Sequence, residues 1–326
     1  MADRRCWVVT EGHVGLRNQG LGLAEAILDG LSGWEMSLRS VRLRFPWYYV
    51  PPGLMRTPFS ACTADSDPVA PPWPDLLITC GGRSTGLSVA IKAASGGSVF
   101  TVHIQDPRID PGYFDLVVVP EHDRQRMRAG DNVLFGEAAL HRVTPDKIAE
   151  AAARMGPRYA HLPRPLVAVL IGGANRRYKL TPARMRAIAA ELAELARTHH
   201  VGLLVTASRR TGAENEAVLR RALADVPAAI WDGTGENPYF AYLGLADAIV
   251  ATCDSVSMIS EACATGKPVH IIELEGGSRR FHLFHEKLRR DGLIRPFRGV
   301  IEDWRYDPPD DTARAAREIR RRMGLD

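Results

Sequence analysis

Short apolar runs rich in β-branched residues alternate with amphipathic helical segments along most of this chain. The run Leu166–Ile171 is typical of a strand buried on both faces, and segments such as 182–197 repeat apolar residues at a spacing of about 3.6. This alternation is typical of parallel sheets that are covered by helices. The sequence therefore predicts an α/β fold.

The predicted elements form two series, and each series predicts one doubly wound, Rossmann-like domain. The first series predicts strands and helices at 7–10, 18–31, 35–41, 76–79, 85–94, 99–104, 116–119, 132–135 and 145–155. The second series predicts them at 166–171, 182–197, 202–206, 213–223, 228–231, 237–245, 248–251, 256–265 and 269–272. The proline-rich segment 156–165 predicts the boundary between a first domain, 1–160, and a second domain, 161–326.

Two segments depart from this regularity. Residues 45–75 are rich in proline, serine and aspartate and are expected to be an exposed or mobile insertion in the first domain. The segment 312–323 predicts a terminal helix of the second domain. Its arginines are expected to form a solvated face.

Composition and charge exclude several classes of protein. The 326 residues are 45% hydrophobic and 25% charged, which is typical of a soluble globular protein, and no apolar run approaches the roughly 20 residues that cross a bilayer. The net charge of +4 is too small to indicate a nucleic-acid partner. Five scattered cysteines without a C-x-x-C pair argue against a disulfide framework and a structural zinc site. Because no signal peptide is evident, the chain is expected to be cytoplasmic.

Small, hydroxylic and cationic residues follow three predicted strands of the second domain, where parallel sheets hold ligands. These residues are Gly172, Gly173, Asn175, Ser208, Arg209, Arg210, Asp254, Ser255, Ser257 and Met258. Glycines let a ligand approach the backbone, hydroxyl groups donate hydrogen bonds and arginines neutralise charge, so the set suits the diphosphate of a nucleotide sugar. Glu261, about one helical turn further on, is expected to accept hydrogen bonds from ribose hydroxyls. The alternative is that these residues serve only as turn and helix-cap residues.

Several motifs together resemble a known family. They are Gly81-Gly82-Arg83, Ile104-Gln105-Asp106-Pro107-Arg108, Gly172-Gly173-Ala174-Asn175, Ser208-Arg209-Arg210-Thr211 and the segment 254–262. The second half of the chain resembles the nucleotide-sugar half of glycosyltransferases with the GT-B fold, and the whole set is similar to bacterial proteins of the mitochondrial fission ELM1 family. The resemblance implies two Rossmann-like domains that face a cleft, with the nucleotide sugar held by residues 165–300.

Residues after the strands of the first domain are candidates for the acceptor side of such a cleft. They are Glu11, His13, Gly81, Gly82, Gln105 and Arg108. A transferase needs a base that takes a proton from the acceptor hydroxyl and cations that stabilise the leaving diphosphate. Asp106 and His122 are the candidate bases, and Arg83 is expected to stabilise charge together with Arg209 and Arg210. The alternative for each carboxylate or histidine is a capping or ion-pairing role.

Basic and aromatic residues are interleaved between residues 36 and 64, where no acidic residue occurs. The candidates for a membrane contact are Arg39, Arg42, Arg44, Trp47, Tyr48 and Tyr49. Aromatic rings sit at the headgroup level of a bilayer and arginine binds lipid phosphate, so the segment predicts an anionic membrane surface or a lipid-linked acceptor as a partner. The alternative is a loop that packs its aromatic side chains against its own domain.

These observations predict a metal-independent GT-B-type glycosyltransferase that uses no cofactor. Its donor is expected to be a nucleotide-diphosphate sugar and its acceptor a cell-envelope molecule, with the chain in the cytoplasm or at the inner face of the membrane. His282 and His285 share a predicted helix face without a third ligand nearby in sequence, so no metal site is expected. Two alternatives remain open: a sugar-nucleotide epimerase of the same fold, and a non-catalytic adaptor at a membrane.

Overall fold

A computed structural model of the protein describes residues 4–54, 58–128 and 130–325. These residues fall into two compact units. The first unit takes in the chain up to Arg142 and again from Asp310 onwards, and the second unit runs from Val143 to Pro309. Each helix in the described ranges is too short or too polar to cross a membrane.

The elements follow one another regularly along the chain. In order they are β1 (Arg4–Thr10), α1 (Val14–Leu28), β2 (Trp34–Ser40), β3 (Leu76–Cys80), α2 (Thr85–Ala94), β4 (Phe100–Ile104), β5 (Leu116–Pro120), β6 (Val133–Gly136), α3 (Pro145–Met155), β7 (Leu166–Ile171), β8 (Tyr178–Lys179), α4 (Pro182–His199), β9 (Gly202–Ala207), α5 (Ala213–Ala222), β10 (Ala228–Ile230), α6 (Tyr239–Leu245), β11 (Ala248–Thr252), α7 (Val256–Cys263), β12 (Val269–Ile272), β13 (Glu275–Gly276), α8 (Arg279–Arg290), β14 (Ile294–Pro296) and α9 (Asp311–Met323). The predicted strands and helices are all present. The strands β8, β13 and β14 lie outside the predicted set.

The first unit is built on a parallel six-stranded sheet in the order β2-β1-β3-β4-β5-β6. Successive residues of a strand point to opposite faces, and both faces of this sheet are covered. In β1, Cys6 and Val8 pack with α1 and α9, whereas Trp7 and Val9 pack with α2. The prediction of a doubly wound domain is confirmed.

The second unit has its own parallel six-stranded sheet, in the order β10-β9-β7-β11-β12-β14, and a separate antiparallel pair formed by β8 and β13. All residues of β7, β11 and β12 are buried. Burial on both faces explains why these strands are mostly apolar in sequence, with Thr252 and His270 as buried polar exceptions. Because β9, β7 and β11 are neighbours in the sheet, the loops that follow them meet at one edge.

The boundary between the units differs from the predicted one. Helix α3 precedes the proline-rich segment 156–165, yet it belongs to the second unit and packs on α6. A Cβ atom on Gly244 of α6 would overlap the carbonyl oxygen of Ile148 in α3, so the two helices are in close contact. The prediction of a boundary near residue 160 is wrong, because proline content identifies a loop and not the partner on which a helix packs.

The terminal helix α9 was expected in the second domain, but it belongs to the first unit, where it packs on α1. The Arg320 Nε atom donates a hydrogen bond of 2.7 Å to the carbonyl oxygen of Ile27, and an Arg322 nitrogen donates one of 3.1 Å to the carbonyl oxygen of Asp115. Carbonyl groups at a helix C-terminus attract cations. Arg320 and Arg322 therefore hold α9 against the first unit, so the arginines of this helix are not all part of a solvated face.

The predicted insertion at 45–75 is anchored over its second half. The backbone N–H of Ser40 donates to the Asp67 carboxylate at 2.6 Å, and the Arg42 guanidinium donates to Asp65 at 3.0 Å. The Trp73 ring stacks with Phe59 at a centroid distance of 5.8 Å. Exposed apolar side chains concentrate instead in the first half, around the short 3₁₀ turns Trp47–Tyr49 and Pro52–Leu54.

The close contact of α3 with α6 predicts that Gly244→Ala destabilises the protein. The added methyl group overlaps a backbone oxygen that cannot move without shifting α3, and overpacking of this kind costs about 1–3 kcal/mol. Urea unfolding followed by circular dichroism measures the effect. The control is Glu150→Ala at an exposed position of α3, which should change stability by less than about 0.5 kcal/mol. Equal midpoints for the two variants would contradict the packing described.

Candidate functional site

The loops after β7, β9 and β11 are joined by hydrogen bonds at the carboxyl edge of the second unit's sheet. The centre of this network is the Asp254 carboxylate, whose side chain is fully buried. It accepts hydrogen bonds from the Gly173 backbone N–H at 3.0 Å and from the Thr252 hydroxyl at 2.6 Å. It also pairs with the Arg210 guanidinium at 2.8 Å. Asp254 therefore acts as a clamp between the three loops, and not as the ligand-facing residue that the sequence predicted.

The two glycines after β7 are required by this clamp. A Cβ on Gly172 would overlap the Asp254 carboxylate, and a Cβ on Gly173 would overlap the backbone of Arg210. The Thr211 hydroxyl donates to the Gly172 carbonyl oxygen, which adds a further link between the loops. Both glycines are buried, so the structure explains them by loop packing and not by the approach of a ligand.

Asn175 and Ser208 each stabilise a turn of their own loop, and Asn175 also links its loop to the loop after β11. The Asn175 amide donates to the Asp254 carbonyl oxygen at 3.1 Å, and its side-chain oxygen accepts from the backbone N–H of Arg177 at 2.8 Å. The Ser208 hydroxyl accepts from the Arg210 backbone N–H at 3.2 Å. For these two residues the alternative of turn and cap roles describes the structure well.

Arg209 and the start of α7 remain available to a ligand. Arg209 is exposed, and its guanidinium has no ion pair or hydrogen bond within the described part of the chain. Ser255 is the N-cap of α7, where its hydroxyl accepts from the Met258 backbone N–H at 3.3 Å. Ser257 and Met258 are partly exposed. The first N–H groups of a helix have no intrahelical partner, so this helix start attracts anions.

Glu261 has a protein partner that the sequence did not indicate. Its carboxylate accepts a hydrogen bond of 2.7 Å from the Tyr239 hydroxyl, and the residue is only 6% exposed. Burial and the neighbouring carboxylate raise the pKa of Tyr239 well above its usual value, so Tyr239 stays protonated and donates. The expected contact between Glu261 and ribose is therefore corrected to a buried pair with Tyr239.

A second buried group also supports the loop after β11. His285 of α8 is 4% exposed and forms a hydrogen bond with the backbone of Cys253. The Cys253 Sγ atom accepts from the Leu274 backbone N–H at 3.2 Å. Burial lowers the pKa of His285 to about 4 and raises that of Cys253. In the sequence, the spacing of His285 from His282 suggests only a possible metal ligand and carries no signal for this packing role.

In the first unit, Arg83 is held by two neighbours. Its guanidinium donates to the Glu11 carboxylate at 2.6 Å and lies 3.3 Å above the centre of the Tyr48 ring. His13 is exposed and its Nε2 atom lies 3.9 Å from the same Glu11 carboxylate. Arg83 is therefore neutralised by Glu11, which weakens the expectation that it stabilises a leaving diphosphate.

The residues after β3 and β4 also lie together in the first unit. Gly81 has a φ of +91°, and Gly82 faces the Arg108 side chain, whose Nε would be 3.4 Å from a Cβ at that position. The Gln105 amide donates to the Gln19 side-chain oxygen at 3.4 Å. The Asp106 carboxylate accepts from the Arg108 backbone N–H at 2.8 Å and lines a cavity of about 360 Å³.

The other candidate base, His122, does not line this cavity. Its side chain is 2% exposed and its Nε2 atom lies 3.9 Å from the buried Asp123 carboxylate. A group so deeply buried cannot take a proton from an acceptor hydroxyl. The prediction of His122 as a base is wrong, because its place after a strand does not determine which way its ring turns.

The predicted membrane patch divides into residues held by contacts within the first unit and residues left at the surface. The Arg39 guanidinium lies 3.5 Å from the centre of the Trp7 ring, so Arg39 packs on its own unit. Arg42 is paired with Asp65, and Trp47 is partly buried. Arg44, Tyr48 and Tyr49 remain at the surface. Phe45 and Leu54 of the same segment are 81% and 69% exposed.

The two parallel six-stranded sheets, taken with the likeness to solved structures, show that the chain has the GT-B fold. The fold is shared with UDP-GlcNAc 2-epimerase of Methanocaldococcus jannaschii, with a TM-score of 0.58 and 9% identity over 99% of this chain and 100% of that chain. It is also shared with Medicago truncatula UGT71G1 complexed with UDP-glucose, with a TM-score of 0.53 and 10% identity over 98% of this chain and 89% of that chain.

The family is defined by sequence. A family model described as Mitochondrial fission ELM1 matches residues 14–323, and the chain belongs to this family. The mitochondrial fission protein ELM1 of Arabidopsis thaliana is 33% identical over an alignment of 282 residues, and the alignment covers 77% of this chain. The match spans 64% of the Arabidopsis protein's length.

The hydroxyl of Thr252 predicts a first test of the loop network. Thr252→Val keeps the shape of the side chain but removes the acceptor for the Gly172 N–H (2.8 Å) and the donor to Asp254, so we expect a loss of about 1–3 kcal/mol in the free energy of unfolding. Thr252→Ser is the control, since it keeps the hydroxyl. If denaturant unfolding gives Thr252→Val the same free energy of unfolding as Thr252→Ser or the parent chain, the network described is contradicted.

His285 predicts a specific dependence of stability on pH. Its pKa is about 4 in the folded chain and 6.5 ordinarily, so between these values the unfolded chain binds more protons and stability falls as pH falls. In urea titrations, His285→Leu should lose less stability than the parent chain as pH drops from 6.5 to 4. Exposed His199→Leu is the control and should follow the parent chain. Parallel curves for all three proteins would exclude a buried, neutral His285.

Proposed function

We propose that the second unit binds the diphosphate of a nucleotide sugar at the N-terminus of α7. The observation that carries this proposal is the place of Arg209, an unpaired and exposed arginine whose loop is joined to the start of α7 through the Arg210–Asp254 ion pair. A helix N-terminus and an arginine both stabilise phosphate oxygens. No carboxylate competes for Arg209 within the described residues.

The remaining candidates divide into those that touch the ligand and those that position the loops. Asp254, Gly172, Gly173 and Asn175 hold the loops in place, as their buried contacts indicate. The proposed contacts to the ligand come from exposed or partly exposed groups. These are Ser208, Arg209, Arg210, Ser255, Ser257 and Met258. The Glu261–Tyr239 pair is proposed to shape the surface beside α7.

A UDP-sugar is the first donor to test. One protein that shares the fold has UDP-GlcNAc in its name, and another was solved with UDP-glucose. Both likenesses cover nearly all of this chain. Calorimetry with a panel of nucleotide sugars identifies the base and the sugar of the donor.

The proposed reaction is transfer of the sugar to a lipid-linked cell-envelope acceptor at the inner face of the membrane, without a metal or cofactor. A base takes the proton of an acceptor hydroxyl, the acceptor oxygen forms a bond to the anomeric carbon, and the diphosphate leaves with the bonding electron pair. Asp106 is the base candidate that lines a cavity, whereas His122 is buried. Arg209 and Arg210 are proposed to stabilise the leaving group.

Calorimetry with UDP, GDP, ADP and CMP and their sugars tests the donor site. We expect one nucleotide to bind selectively and Arg209→Gln to weaken its binding about tenfold, since a hydrogen bond to a charged group contributes about 1.5–3 kcal/mol. The control is Arg221→Gln, which removes an exposed and unpaired arginine of α5 in the same unit.

Three results would change the proposal. No binding of any nucleotide would contradict both a transferase and an epimerase and would favour a non-catalytic adaptor. Binding that Arg209→Gln and Arg221→Gln weaken equally would exclude the loop after β9. A change of sugar stereochemistry when the nucleotide sugar is incubated with the protein alone would identify an epimerase, because a transferase requires an acceptor.

A further inference from the structure

We propose that a cavity in the first unit binds the phosphate of a phosphorylated lipid, with the neighbouring apolar loop contacting the hydrocarbon chain. The cavity of about 360 Å³ lies between the loops that follow β4 and β5. Three arginines line it, namely Arg108, Arg126 and Arg128. Its role as an acceptor site rests on the proposed glycosyl transfer, whereas the binding itself does not.

The three arginines have charges that the protein does not neutralise. All three are exposed, and their guanidinium groups have no ion pair or hydrogen bond among the residues that the structure describes. Arg124 of the same segment shows the opposite behaviour, since it pairs with Glu121 at 2.6 Å. Arginines without a carboxylate partner around one cavity are suited to phosphate oxygens, which guanidinium groups bind through paired hydrogen bonds.

The carboxylates in the cavity wall are engaged by the backbone. Asp106 accepts a hydrogen bond of 2.8 Å from the Arg108 N–H, and Asp110 accepts one of 2.9 Å from the Gly112 N–H. They fix the turns that present the arginines. Three guanidinium groups against two carboxylates leave the cavity with a positive charge.

The backbone of the loop after β4 is held in an unfavourable conformation. Gln105 and Arg108 have φ values of +82° and +60°, a region that residues with a side chain rarely adopt. The third such residue of the described chain, His200, ends a helix, where this conformation is common. Strain of this kind persists where the surrounding structure enforces it and is concentrated at binding sites. In this loop it places the side chain of Arg108, which lines the cavity, against Gly82.

An exposed apolar loop borders the same cavity. A Cβ on Gly53 would lie 3.4 Å from Ile109 Cγ2, so the turn at Pro52–Leu54 touches a residue of the cavity wall. This loop exposes Phe45 by 81%, Tyr49 by 76% and Leu54 by 69%. Apolar side chains of this size are costly to leave in water unless they meet a partner. A phosphate that carries a hydrocarbon chain satisfies both the arginines and the loop.

Vesicle sedimentation tests this proposal with the full chain. We expect the protein to bind phosphatidylcholine vesicles that contain phosphatidic acid, and to bind pure phosphatidylcholine weakly. Replacement of Arg108, Arg126 and Arg128 by Gln should weaken the binding about tenfold or more. The matched control replaces Arg186, Arg197 and Arg221 by Gln, which removes the same charge from exposed positions of the second unit. Equal losses in the two triple variants, or no binding by the parent chain, would overturn the proposal.

The apolar arm is tested with Phe45→Ser together with Tyr49→Ser. These changes should weaken the binding of the protein to phosphatidic acid vesicles. Soluble glycerol phosphate should still displace the remaining bound protein as effectively as it displaces the parent chain. If glycerol phosphate binds the cavity and the serine variant still binds vesicles normally, the ligand is a free phosphate and the lipid assignment is wrong. Nucleotide binding by the arginine triple variant should equal that of the parent chain, which verifies its folding and separates this proposal from the donor site.

Discussion

The ion pair and hydrogen bonds of the Asp254 carboxylate fix the loops of the second unit on which the proposed donor site depends. Three neighbouring strands end at one edge of the sheet, and the loops after them would otherwise be free to separate. Asp254 ties two of these loops to its own through Gly173 and Arg210. A buried carboxylate with several donors is costly to disrupt, since loss of a partner leaves a charge unsatisfied. The clamp therefore explains why glycines occupy the loop after β7.

This arrangement separates the residues that build the site from those that face a ligand. The buried residues around Asp254 hold the backbone of the three loops in place. Arg209 and the first turn of α7 remain available to bind an anion. The first unit shows the same division. Arg83 forms an ion pair with Glu11 and packs on the Tyr48 ring. The three arginines that line the cavity with Asp106 have no such partner among the described residues. Positive charge is thus available at two separate places, one in each unit.

The sequence predicts the strands, the helices and the loops that carry the site because burial on both faces leaves a periodic signal in parallel sheets. It does not predict the role of each polar residue within a loop. Asp254 and Ser255 are adjacent, yet one is a buried clamp and the other a helix cap, and the choice depends on partners from distant loops. Likewise Asp106 lines a cavity and His122 is buried, although both follow strands. The helices α3 and α9 were assigned to the wrong units because amphipathic periodicity identifies a buried face but not its partner.

Hydrogen exchange of the full chain with a panel of UDP-, GDP- and ADP-sugars tests the central claim most directly. A bound diphosphate should slow the exchange of the amides of Arg209, Val256 and Ser257, since these groups then donate to phosphate or lie beneath it. The buried amide of Gly173 should change little because Asp254 already accepts its hydrogen bond. Slower exchange at Arg209, Val256 and Ser257 with one nucleotide sugar is the result that the account predicts. Unchanged exchange with every sugar nucleotide, or slowing confined to other loops, would contradict it.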